Sequence, residues 1–147
     1  MDETEFRRWR EAADDARRAA QLQAEHTAHA NWACFLAEQS AQLAVKGLLH
    51  GFGAGAWGHD LVELGRLVGE AIREQLPEPV TPALQRLSRH YIPARYPDAH
   101  PGGAPASHYG EEDARQALQD LATVTDFVDT LWSQALDKQQ REGIDGG

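Results

Sequence analysis

Apolar residues recur at helical spacing through most of the chain, and no stretch alternates with period two for long enough to propose a strand. Residues 28–50 (AHANWACFLAEQSAQLAVKGLLH) differ from the rest because they are apolar or small on nearly every side. At 3.6 residues per turn, Trp32, Leu36, Gln39, Leu43 and Lys46 form one line, and Phe35, Gln42 and Leu49 a second. Ala33, Ala37, Ser40, Ala44 and Gly47 form a third, made of small residues. A helix without a wide polar face is buried by neighbours on several sides, and the small stripe lets one of them approach closely. Glu38, Gln39, Ser40, Gln42 and Lys46 interrupt this surface and need partners wherever they are buried, since an orphaned polar group costs about 1–3 kcal/mol.

The other elements arrange themselves around that helix. Phe6, Trp9, Ala13, Ala16, Ala20 and Ala24 give residues 4–26 an apolar stripe, and His26–His29 makes the turn that follows. Gly51, Gly53, Gly55 and Gly58 end the central helix in a loop carrying Trp57. A third helix begins near His59-Asp60 and faces inward through Leu61, Leu64, Val68 and Ala71. After a proline-stiffened linker at 76–82, Thr81-Pro82 predicts the start of a fourth helix, with Leu84, Leu87 and Tyr91 inward. Pro93 and Pro97 end it, and residues 97–110 form a loop long enough to be functional or mobile. Glu111, Glu112 and Asp113 open a last helix whose apolar positions run from Ala114 to Ala135. The pattern predicts an all-α, up-and-down bundle of four or five helices over 1–137, then a disordered tail at 138–147.

Composition narrows the function. One domain suits 147 residues, and no apolar run of membrane-spanning length occurs. The charged N-terminus is unlike a secretory signal, and the single cysteine, Cys34, excludes an internal disulfide and a multi-cysteine zinc site. These features point to a cytoplasmic protein with no membrane attachment. A net charge of −9 argues against coating a duplex, although Arg86, Arg89 and Arg95 leave a local basic spot able to grip one phosphate. His26 and His29 lack a third metal ligand, and the glycine-rich loop lacks the Gly-Lys-Ser/Thr of a phosphate loop; no metal or cofactor is expected.

Read in order, Trp9 with its Ala/Asp-rich helix, the FLAEQSAQLAVKGLL core (35–49), His59-Asp60-Leu61, the YIPARYPD segment (91–98) and Tyr109 followed by acids resemble the HEPN domain family. Gln42 stands where that family usually has Glu, and Gly110 where a Ser or Thr cap is common. The resemblance implies a helical bundle that forms a homodimer and is often paired with a minimal nucleotidyltransferase. Some members are toxins, metal-independent ribonucleases with an Arg followed four to six residues later by His, and Arg95 to His100 fits that spacing. In such chemistry an arginine fork holds the phosphate and an imidazole moves the proton, so Arg95 and His100 are the catalytic candidates, with Tyr91, Tyr96 and Asp98 around them. Arg95 is equally suited to pair with Asp98 or with a bundle carboxylate. The alternative is a non-catalytic subunit that binds a nucleotide or docks a partner, with Arg95, Lys46 and His59 as polar contacts.

Overall fold

The structure, a computed structural model, describes residues 1–146. Five α-helices form the bundle: α1 (Glu3–Ala24), α2 (Ala30–Gly51), α3 (Leu61–Ile72), α4 (Val80–Ser88) and α5 (Glu111–Asp145). Short 3-10 turns occur at Thr27–His29, Pro97–Ala99 and Pro105–His108, and no strand occurs among the described residues. The up-and-down, all-α reading of the sequence therefore holds.

The α2 helix packs against each of the other four, as its lack of a polar face requires. Its small stripe meets α1. A Cβ on Gly47 would lie 2.7 Å from the Trp9 Cβ, and the buried Ser40 hydroxyl donates to Ala13 O at 2.7 Å. Leu48, Leu49, Leu61, Leu64, Leu84, Leu87 and Leu121 fill the centre, and Phe6 stacks on Trp132 at one end. Cys34 is fully buried, and that burial pushes its thiol up to about 12. The least buried line of α2 is Trp32, Leu36, Gln39, Leu43 and Lys46, none of which is fully covered.

Local chemistry moves some boundaries away from those the sequence suggests. Asp60 is the cap of α3, accepting from the backbone N–H groups of Val62 and Glu63. The α4 helix starts at Val80, not at Thr81-Pro82: Val80 is buried, and Pro82 falls in the first turn, where it removes no intrahelical donor. The predicted tail from Lys138 is helical through Asp145. Its residues are exposed, but the run Lys138–Glu142 consists of good helix formers, so the helix continues past the last core contact. The 97–110 segment is an organised loop: Pro105 is buried, the Ser107 hydroxyl donates to Ala104 O, and His108 Nε2 donates to Gly102 O.

Candidate functional site

Three segments lie along α2 from its start to its middle: the 97–110 loop and the 90–96 turn after α4 near its start, and the α2–α3 loop at Gln42. The turn is held carbonyl by carbonyl. Tyr91 O accepts from Arg95 Nε at 2.8 Å, Pro93 O from His100 Nε2 at 2.7 Å, and Ala94 O from the buried Asn31 Nδ2 at 3.0 Å. Ile92 O accepts from the backbone N–H groups of Arg95 and Tyr96. A turn with four successive carbonyls, 91 to 94, occupied is a firm base for the side chain it carries.

That side chain is Arg95. Its guanidinium carbon lies 4.4 Å from the ring centre of Phe35, 4.6 Å from Tyr91 and 5.0 Å from Tyr96, within cation–π range of all three. With Nε donated to Tyr91 O, its Nη groups make no hydrogen bond or salt bridge among the described residues. It therefore does not pair with Asp98, which is exposed in the Pro97–Ala99 turn. Other basic side chains are spent on structure: Arg86 forms a bidentate pair with Asp120, and Arg10 with Asp129.

Beneath Arg95 lies Glu38, with no exposed surface. It accepts hydrogen bonds from Gln39 Nε2 at 2.8 Å and Gln42 Nε2 at 2.5 Å. Gln42 Nε2 also reaches His59 O at 3.1 Å, and the His59 ring stacks on Tyr91 with centres 4.1 Å apart. Burial holds the Glu38 carboxyl above the usual range, against the opposing pull of Gln42, Gln39, Arg95 and His59. His59, Asp60, Ser88, Tyr91, Ile92 and Pro93 line a shallow depression of about 270 Å³ beside this cluster.

The structure thus brings together Arg95, His59, Tyr91 and Tyr96 from the sequence-derived candidates. Lys46 lies one turn beyond Gln42 on α2, half-buried and without a salt bridge among the described residues. His100 sits against the same turn, with other partners. Its ring stacks on His108 with centres 4.2 Å apart and planes 3° from parallel, and it meets Tyr109 edge-on. With Nε2 donated to Pro93 O, only Nδ1 remains for proton transfer. Arg95 and His100 share no hydrogen-bond partner among the described residues. Next to His100, His90 Nδ1 lies 3.1 Å from the Tyr109 hydroxyl. Burial lowers the His90 pKa, and burial followed by the nearby Cys34 and Asp113 raises that of Tyr109 to about 12.

Sequence reasoning did not assign site roles to Glu38, Gln42, Phe35 and Asn31. The signal for the first two was present: a carboxylate and an amide four apart on a helix with no polar face must satisfy each other.

Comparison with known proteins places this architecture. The HEPN domain family matches residues 6–131. The crystal structure of TT1696 from Thermus thermophilus is similar at 39% identity and a TM-score of 0.79, covering 85% of this chain and 96% of that one. ST0689, described as an archaeal HEPN homologue, is similar at 28% identity and a TM-score of 0.72, covering 86% of this chain and 96% of its own. A search of curated proteins found no match.

Proposed function

This chain belongs to the HEPN domain family, and from that premise we propose that it is a nucleotide-binding subunit, a homodimer working beside a minimal nucleotidyltransferase. The phosphate is held by the Arg95 Nη groups. The observation that carries this reading is the state of Arg95: braced by Tyr91 O, flanked by three rings, and with its terminal donors unspent. A guanidinium so arranged loses little freedom when it captures a phosphate, because its orientation is already set. Tyr96 is 49% exposed and Trp32 43% exposed, which gives a base two aromatic surfaces near the phosphate site. His59 and Lys46 add polar contacts at the rim.

RNA cleavage by Arg95 and His100, the toxin reading, requires both groups at one phosphate. The His100 ring instead spends Nε2 on the turn that carries Arg95, which makes it a brace for the arginine. One experiment separates the two readings. AMP binding is measured by calorimetry, and RNA is incubated with the same protein in chelator. Binding that weakens at least about tenfold, or about 1.4 kcal/mol, in Arg95→Ala, with intact RNA, is the expected result. RNA cut to cyclic-phosphate ends by the wild type and left whole by His100→Ala would overturn it in favour of the ribonuclease.

A further inference from the structure

Two carboxylates are buried among the described residues, and they are treated differently. Asp120 has a bidentate partner in Arg86. Glu38 is more deeply buried but has only two neutral amides, Gln39 and Gln42, for direct partners. Desolvating a carboxylate without an ion pair is costly, and a bundle position that served packing alone would be better filled by a leucine.

The surroundings of Glu38 close into a circuit. Gln42 joins it to His59 O, the His59 ring stacks on Tyr91, Tyr91 O accepts from Arg95 Nε, and Arg95 covers Phe35. Phe35 lies one turn before Glu38 on α2. Of the rim groups, His59, Tyr91 and Arg95 are therefore tied back to one carboxylate.

We propose that Glu38 is the positioning residue of the Arg95 rim and that its charge sets how strongly Arg95 holds an anion; this rests on the anion-binding reading above. The charged groups acting on Glu38 are Arg95, from the turn after α4, and His59, from the α2–α3 loop. Its own helix contributes the neutral Gln39 and Gln42, with Lys46 two turns along, and Tyr91 is the other titratable group in the circuit. Ionised, Glu38 cancels part of the field of Arg95 at the rim; protonated, it leaves that field whole. A bound anion in turn favours the protonated carboxyl, so binding takes up a proton. Affinity falls as pH rises through the Glu38 titration, which lies above the ordinary carboxylate range.

Sulfate is the probe, because its charge is constant from about pH 4.5 to about pH 8, whereas that of phosphate is not. Binding is read at the Arg95 Nε resonance in a His59→Gln background, which removes the rim imidazole. Sulfate affinity falls as pH rises through the Glu38 midpoint, by about tenfold for a one-unit coupling, and changes less than about twofold in His59→Gln/Glu38→Gln. Because Glu38→Gln sets a third amide against two others and can fail to fold, the wild type is also titrated without ligand, where the Glu38 carboxyl carbon and Arg95 Nε share one midpoint. If sulfate never moves the Arg95 resonance, the anion-binding reading falls. Sulfate binding that ignores pH, or an Arg95 resonance blind to the Glu38 midpoint, overturns the role of Glu38 alone.

Discussion

Gly47 and Gly65 both lie in helices against a packed neighbour, yet the same substitution has different consequences at each. A Cβ at Gly47 meets the Trp9 Cβ at 2.7 Å, an atom fixed to the α1 backbone. At Gly65 it meets Leu84 Cδ1 at 2.5 Å, the end of a side chain bordering an open groove. Gly47→Ala should therefore cost about 1–2 kcal/mol, the overpacking penalty less the gain in helix propensity. Gly65→Ala should stay within about 1 kcal/mol of wild type, because Leu84 can turn aside. Urea unfolding of both variants checks the contrast. At this scale the sequence is an uneven guide. Small residues on one stripe of α2 announce a close neighbour, and Ser40 finds one in Ala13 O. The Arg95–His100 spacing suggests a pair, but a spacing in a proline-containing loop fixes no side-chain direction. His100 turns to Pro93 O and His108, and the second of those lies eight residues further on.

Helix ends show where local chemistry decides and where packing overrides it. Asp60 caps α3 through two backbone N–H groups, so Asp60→Ala should lower stability by about 1 kcal/mol in urea unfolding. Asp113 likewise reaches back to the Gly110 N–H at the start of α5. Both are legible as acids at helix starts. The start of α4 is not, since the burial of Val80 is a tertiary fact that Thr81-Pro82 does not encode. At its far end α5 runs past the core into exposed residues held by their own propensity and a Lys138–Glu142 contact. Truncation after Asp137 should change the unfolding free energy by less than about 0.5 kcal/mol, as exposed segments do; a larger loss would mean that residues 138–145 pack on the bundle.

For the molecule as a whole, two titrating groups, the half-buried His90 and the buried Glu38, pull stability in opposite directions with pH. The folded-state pKa of His90 lies below its unfolded value, so its contribution is full above about pH 6.5 and is lost as pH falls through the folded value. That of Glu38 lies above its unfolded value, so its contribution is full below pH 4.5 and is lost as pH rises through the folded value. Between about pH 7.5 and about pH 5, His90→Gln should lose the acid-side decline that the wild type shows in its urea midpoint, leaving the opposing rise from Glu38. The bundle itself is readable from periodicity because one helix with no outward face dictates neighbours all round it. His59 and Arg95 are expected in one site, but the buried Glu38 behind them is not, because it joins the middle of α2 to two segments distant along the chain. The same enclosure makes Cys34 a built-in stopwatch: a thiol-alkylating reagent reaches it only after the central helix has come away from its neighbours, so the labelling rate counts those openings one molecule at a time, with no mutation or dye added.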